Sequence, residues 1–141
     1  MSDKTVSFLV VDDDEVDVMA VKRAFRKAKI ANPVHVAGDG IEALAMLRGE
    51  DGYDQIPKPY LILLDINMPR MNGMEFLKEL RQDPEHEKAI VFVFTSAKSE
   101  EQKLEAYNHS ISGYMIKSRL NEDFLKIAEM LDMYWRLIEM P

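Results

Sequence analysis

The alternation of short apolar runs with amphipathic segments constrains the fold of this chain more than any other feature. Three runs are continuously apolar, at residues 8–11, 61–64 and 90–94, and two weaker ones lie at 34–37 and 113–116. Continuous rather than alternating apolar runs are typical of parallel strands buried on both faces. The runs therefore predict five parallel strands.

The segments between these runs have helical spacing. In the first, Val18, Val21 and Phe25 recur at three- and four-residue intervals. The helices are predicted at about 18–28, 41–47, 74–80, 99–108 and 124–138. Regular alternation of strands and helices predicts an α/β fold, with a five-stranded parallel sheet covered by helices on both faces.

Composition narrows the classes of function. The 141 residues suffice for one domain, and 25 acidic against 18 basic residues leave a net charge of −7. Such a chain is a poor candidate for binding nucleic acid, which depends on Lys and Arg against phosphate. It has no cysteine for disulfides or thiolate sites. It also has no apolar run of the roughly 20 residues that a membrane span needs, and no secretory signal, so a cytoplasmic location is expected.

Chemically active side chains follow the predicted strands. Asp12 and Asp13 follow the first strand, Asp65 the third, Thr95 the fourth and Lys117 the fifth. The carboxyl ends of parallel strands lie at one edge of the sheet, where ligands of such folds bind. We therefore expect three carboxylates, one hydroxyl and one ammonium to converge there.

The charges of this group predict a cation. Three carboxylates and one Lys leave an excess of negative charge, which is unfavourable unless a cation binds or pKa values rise. Mg²⁺ suits the site because it is held by a few carboxylates and keeps several waters. A phosphoryl group then becomes an acceptable ligand, with Asp65 as nucleophile, Asp12 and Asp13 on the metal, and Lys117 stabilising charge.

Several motifs resemble those of the receiver domain of two-component response regulators. The resemblance extends from about residue 7 to 131, with a C-terminal helix extension to 141, so that 1–141 is one receiver domain. The matching pieces are FLVVDD at 8–13, LLDINMP at 63–69, Gly73, TSA at 95–97 and GYMIK at 113–117. The chain is also similar to stand-alone receivers that partner phytochrome-type histidine kinases, because of its 49–59 loop, its Pro84 connection and its 134–141 tail.

The resemblance implies a fold and a phosphoryl-transfer site. The fold would be flavodoxin-like, (βα)5, with strand order 2-1-3-4-5. Asp65 would accept a phosphoryl group from a sensor histidine kinase. Asp12, Asp13, Asp65 and the backbone carbonyl of Asn67 would hold Mg²⁺. The protein would catalyse only its own phosphorylation and autodephosphorylation, and would not be an enzyme with a separate substrate.

The resemblance also implies a switch. Lys117 would contact the phosphoryl oxygen, the Thr95 hydroxyl would move onto the phosphoryl group, and the Tyr114 rotamer would report that movement. The signalling surface would be the fourth helix, fifth strand and fifth helix. Without a DNA-binding output domain, the output would be binding of a downstream protein or onward transfer of the phosphoryl group.

One residue departs from the family pattern. The family usually has Pro after its Lys, often through a cis bond, whereas Ser118 follows Lys117 here. A cis bond before a residue other than Pro costs about 2.5–4 kcal/mol. We nevertheless expect Lys117 to reach the phosphoryl site.

Two residue sets have competing interpretations. Asp14, Glu15 and Asp17 are expected at the start of the first helix, where acids favour the helix dipole, rather than on the metal. The apolar tail has two readings that remain open: it caps the core, or it forms a homodimer interface. Its members are Tyr134, Trp135, Leu137, Ile138 and Met140.

Two other functions compete with the receiver. One is a small Mg²⁺-dependent phosphohydrolase of the haloacid-dehalogenase type, whose Asp-x-Asp-x-Thr signature lacks its Thr here, where Val16 stands. The other is a receiver-like adaptor that is never phosphorylated.

Overall fold

Five parallel strands form one sheet in the order β2-β1-β3-β4-β5. The structure, a computed structural model, describes residues 5–96, 99–117 and 124–141. The strands are β1 (Ser7–Val11), β2 (Val34–Ala37), β3 (Tyr60–Leu64), β4 (Ile90–Thr95) and β5 (Gly113–Ile116). The helices are α1 (Glu15–Lys27), α2 (Gly40–Arg48), α3 (Gly73–Gln82), α4 (Glu100–Asn108) and α5 (Leu125–Leu137). The predicted fold and strand order are confirmed.

The central strands are buried on both faces, which explains their continuous apolar sequence. Successive residues of β1 alternate between two apolar clusters: Leu9 joins one, and Phe8 and Val10 join the other. The cluster around Leu9 includes residues of α2 and α3, whereas the cluster around Phe8 includes residues of α1 and α5. Helices thus cover both faces of the sheet.

The first helix begins as its acidic residues predict. Asp14 is the N-cap of α1, and its side chain accepts hydrogen bonds from the backbone N–H groups of Val16 and Asp17. Glu15 and Asp17 lie in the first turn, where a carboxylate stabilises the positive end of the helix dipole. The prediction that these three acids start the helix is confirmed.

Helix α4 packs less deeply than its sequence predicts. The sequence offers Leu104, Ala106 and Tyr107 as the apolar contacts of α4, but Leu104 is 62% exposed and Tyr107 is also exposed. Ala106 is the buried residue of α4, fully covered by its surroundings. A small residue lets the helix approach the sheet closely, while the larger apolar side chains point to solvent.

Part of the apolar tail packs against the core, and part of it is exposed to solvent. Tyr134, Trp135 and Met140 pack partly against the cluster on the α1 and α5 face. Leu137 and Ile138 are exposed, Leu137 to 76%. The tail therefore caps the core and also presents apolar side chains to solvent. None of the described helices has both the length and the apolar character needed to cross a membrane.

Candidate functional site

The carboxyl edge of the sheet brings together the side chains predicted from the strand ends. Asp12 follows β1 and Asp65 follows β3, and the last residues of these strands, Val11 and Leu64, are paired in register. The Asp65 N–H donates to the Val11 carbonyl oxygen at 2.8 Å. Neighbouring parallel strands thus place the two carboxylates side by side.

Three carboxylates form an acidic cluster, defined here as Asp12, Asp13 and Asp65. One oxygen of each lies within 4.8 Å of the others. Asp12 and Asp65 are only 6% and 7% exposed, whereas Asp13 faces solvent. Among the described residues, Asp65 Oδ1 is buried and has no hydrogen-bond partner. The cluster fits a hard divalent cation, since such ions prefer carboxylate oxygens and would satisfy this buried atom.

Lys117 connects the cluster to the first helix. Its Nζ lies 2.7 Å from Asp12 Oδ2, 2.7 Å from Asp17 Oδ2 and 3.5 Å from Asp65 Oδ2. The contact with Asp17 was not anticipated from the sequence, which assigned this residue to the helix start alone. The short connection between β1 and α1 could have predicted this contact. Since α1 begins four residues after β1 ends, its first turn remains beside the carboxyl edge.

Burial and charge shift the pKa values of the site. Burial raises the pKa of Asp12 to about 6, although the Lys117 ammonium and the Asp14 N–H oppose the rise. Burial would lower the pKa of Lys117, but its hydrogen bonds with Asp12 and Asp17 outweigh that effect and raise it. Lys117 therefore remains charged, while the acidic cluster and Asp17 together supply four carboxylates against this one ammonium. This excess of negative charge favours binding of a cation.

The loop from Asp65 to α3 is closely packed against the site. The Gly73 N–H donates to the Ile66 carbonyl oxygen at 2.8 Å. A Cβ atom at residue 73 would lie 2.6 Å from the carbonyl oxygen of Asp65, so only glycine fits there. Asn67, the predicted carbonyl ligand, lies in this loop two residues after Asp65.

The same loop is attached to the start of α2. Arg70 pairs with Asp39 at 2.6 Å, and Asp39 is the N-cap of α2. The Gly40 N–H donates to the Met71 carbonyl oxygen at 2.9 Å. These contacts restrict the path of the chain that follows Asp65.

The two predicted switch residues lie on the neighbouring strands. Thr95 ends β4 and is fully buried. Tyr114 is half-buried in β5 and packs against the cluster on the α2 and α3 face. Burial raises the pKa of Tyr114, and the charge of Asp65 contributes to the rise. Ala97 and Ser118 lie outside the described residues. The structure therefore does not test whether the peptide bond between Lys117 and Ser118 is cis.

Comparisons with known proteins agree with this geometry. The family model of the response regulator receiver domain matches residues 8–129. Response regulator Rcp1 of Synechocystis sp. is 31% identical over 127 residues, covering 90% of this chain and 86% of that protein.

Solved structures are similar over nearly the whole chain. The crystal structure of the phosphorylated cyanobacterial phytochrome response regulator RcpA has a TM-score of 0.87 at 27% identity, covering 98% of this chain and 99% of that one. The Mn²⁺-bound form of Rcp1 has a TM-score of 0.85 at 29% identity, covering 96% and 99%.

Proposed function

Because the chain belongs to the response regulator receiver domain family, we propose that it accepts a phosphoryl group on Asp65 from a histidine kinase in a Mg²⁺-dependent reaction. The observation that carries the proposal is the position of Asp65. Its carboxylate is buried beside the Asp12–Lys117 pair, with one oxygen unpartnered among the described residues. A buried carboxylate beside a cation site can bind the cation through one oxygen and act as a nucleophile through the other.

Each residue of the site has a distinct role in this reaction. An Asp65 oxygen attacks phosphorus as the bond between phosphorus and the donor histidine nitrogen breaks. Asp12, Asp13, Asp65 and the Asn67 carbonyl would hold Mg²⁺, which when bound neutralises charge on the phosphoryl oxygens. The Lys117 ammonium, 3.5 Å from Asp65, stabilises a phosphoryl oxygen in the transition state. Autodephosphorylation by water uses the same groups.

The partner proposed for this reaction is a sensor histidine kinase of the phytochrome-like class. RcpA is a phytochrome response regulator, and its structure matches nearly all of this chain. Rcp1 has been solved in a Mn²⁺-bound form, which supports binding of a divalent cation by this chain, for which we propose the acidic cluster. We place the reaction in the cytoplasm.

Phosphorylation is proposed to act through the face formed by α4, β5 and α5. Thr95 moves its hydroxyl onto the phosphoryl group, and Tyr114 follows by changing rotamer. Helix α4 suits this role because it buries little of its surface and can shift at low cost. The face then binds a downstream protein, or the phosphoryl group passes to a phosphotransfer partner.

The exposed tail supports a second part of this proposal, a homodimer. Residues 7–131 form the receiver core, and the helix continues beyond it to an apolar tail. Leu137 and Ile138 lie exposed beside Trp135, a residue type enriched at protein interfaces. Sedimentation at tens of micromolar, with and without a phosphoryl mimic, should show a dimer. A monomer in both states would remove this part.

The deciding experiment is phosphorylation by a small donor. Wild type is incubated with radiolabelled acetyl phosphate and Mg²⁺, and we expect a base-labile label. Asp65→Asn and a reaction with chelator should both remain unlabelled. Absence of label on wild type, with an active receiver as control, would indicate an adaptor that is never phosphorylated.

A further inference from the structure

Asp17 gives Lys117 a carboxylate partner outside the acidic cluster. We propose that Asp17 is a positioning residue that keeps the Lys117 ammonium at the site while Asp12 and Asp65 serve the cation and the phosphoryl group. This inference rests on the proposed function and deepens it.

The need for such a residue arises from the double use of Asp12. Its Oδ2 accepts a hydrogen bond from Lys117 at 2.7 Å, and its Oδ1 accepts one from the Asp14 N–H at 2.9 Å. Both oxygens are therefore engaged in the metal-free arrangement. A divalent cation that takes an Asp12 oxygen competes with the ammonium for the same negative charge and repels it.

Asp65 cannot hold the ammonium in place of Asp12. Its Oδ2 lies 3.5 Å from Lys117 Nζ, at the limit of a hydrogen bond. During the reaction, its carboxylate also binds the cation and becomes bonded to phosphorus. The charge that attracts Lys117 to both residues is thus reduced when Lys117 is needed at the phosphoryl oxygen.

Asp17 neither belongs to the acidic cluster that would bind the cation nor becomes bonded to phosphorus. Among the described residues, the carboxylates close enough to share an ion are Asp12, Asp13 and Asp65, and Asp17 is not one of them. Its Oδ2 lies 2.7 Å from Lys117 Nζ, as close as Asp12. This contact therefore remains available when a cation occupies the cluster.

Asp17 is also held in place by its helix. The Asp14 N-cap fixes the first turn of α1, and the next residue, Val18, is buried in the core. The side chains of Asp17 and Lys117 are 25% and 10% exposed, so the pair is less screened than a surface ion pair. The contact with Asp17 is therefore a constraint on Lys117 that comes from outside the acidic cluster.

A simpler explanation is that Asp17 acts only as a nearby negative charge. Such a charge would attract Mg²⁺ whether or not Lys117 were present. Positioning, in contrast, requires the Lys117 side chain. The two explanations therefore differ in a background from which the ammonium has been removed.

The experiment compares Asp17→Asn with Glu15→Gln. Glu15 lies in the same helical turn as Asp17 and is exposed, and its substitution by Gln removes the same charge. No contact between Glu15 and Lys117 occurs in the described parts of the chain. With acetyl phosphate and saturating Mg²⁺, we expect Asp17→Asn to slow labelling about tenfold, within the usual range of coupling between contacting residues. Glu15→Gln should change the rate less than about twofold.

A double-mutant cycle with Lys117→Met separates positioning from charge. In the Lys117→Met background, Asp17→Asn should leave the remaining labelling rate unchanged. A slowing that persists in this background would overturn positioning and support charge alone. An unchanged rate for Asp17→Asn in otherwise wild-type protein would also overturn it.

A second cycle does not depend on phosphorylation. Urea unfolding of the metal-free single and double variants should give a coupling of about tenfold in the unfolding equilibrium constant. A coupling below about twofold would overturn the ion pair. If wild type is not labelled but this coupling is found, the proposed function fails while the Asp17–Lys117 pair stands.

Discussion

Two partly buried cations lie at opposite ends of the sheet and are bound in different ways. At the carboxyl edge, Lys117 contacts the side-chain carboxylates of three residues. At the amino end, near the starts of β4 and β5, Arg81 of α3 donates to backbone carbonyl oxygens. Its acceptors are Glu87 and Ala89 at 2.8 Å, His109 at 2.7 Å and Ser110 at 3.1 Å.

The two arrangements differ in whether a ligand can change them. Backbone carbonyls are fixed by the fold, so Arg81 joins the end of α3 to the two neighbouring loops in one arrangement. Carboxylates can rotate, titrate and bind other cations, so the partners of Lys117 can be exchanged. We therefore interpret the amino end as structural and the carboxyl edge as the responsive end.

The largest expected effect tests the structural end. Arg81→Met removes the donor of four carbonyl oxygens, of which those of Ala89 and His109 are partly buried, and should lower the free energy of unfolding by about 3 kcal/mol. Lys78→Met, which removes an exposed cation from the same helix, should change it by less than about 0.5 kcal/mol. Urea unfolding measures both. Equal effects of the two substitutions would remove the distinction between the ends.

Magnesium should stabilise the responsive end by nearly as much. At a concentration one hundred times its Kd, Mg²⁺ should raise the free energy of unfolding of wild type by about 2.7 kcal/mol. Arg81→Met should gain the same amount, because its defect lies at the other end of the sheet. Asp13→Asn should gain less at equal Mg²⁺. KCl at matched ionic strength is the control, and equal stabilisation by it would contradict a specific site.

The pH dependence should come from the responsive end. Burial raises the pKa of Asp12 from its ordinary value of 3.8 to about 6 in the folded protein. The folded state binds the Asp12 proton more tightly than the unfolded state does. Protonation of Asp12 therefore stabilises the fold fully below about pH 4, and this stabilisation is lost as pH rises through about 6. We expect the loss between pH 4 and 7 to be about 2 kcal/mol in metal-free protein.

Asp12→Asn provides the reference for this measurement. The difference in unfolding free energy between wild type and Asp12→Asn isolates the titration of Asp12 from that of other carboxylates. A difference that does not change between pH 4 and 7 would contradict the raised pKa.

The smallest expected effect concerns the end of α3 nearer the site. Asn72 caps this helix in a reciprocal capping box with Glu75. Asn72→Ala should cost about 1 kcal/mol, whereas Asn72→Asp should retain most of the cap. Urea unfolding should therefore rank Asn72→Ala below Arg81→Met in its effect. The reverse ranking would show that α3 is anchored mainly at its site end.

The sequence predicts the carboxyl edge well because the positions of these residues follow from the order and direction of the strands. The residues that follow parallel strands lie at one edge of the sheet. The strand pattern alone therefore predicts that Asp12, Asp65 and Lys117 lie close together. The choice of these residues as chemically active also followed from their charge. Their roles in phosphoryl transfer remain predictions.

Contacts between helices and loops were not predictable in the same way. Asp17 had a sufficient local explanation as a first-turn acid, which concealed its contact with Lys117 across 100 residues. Arg81 is an ordinary residue for the last turn of a helix, and nothing local indicates the four carbonyls that surround it. The exposure of Leu104 likewise depends on how closely Ala106 approaches the sheet.

The separation of the site residues along the chain has a consequence for folding kinetics. Lys117 is 105 residues from Asp12 and 52 from Asp65, so the site exists only after β1, β3 and β5 have joined one sheet. Such non-local contacts form late because each requires closure of a long loop. A bound cation should therefore leave the refolding rate nearly unchanged and slow unfolding instead. In the cell, its effect would be to lengthen the lifetime of molecules that have already folded.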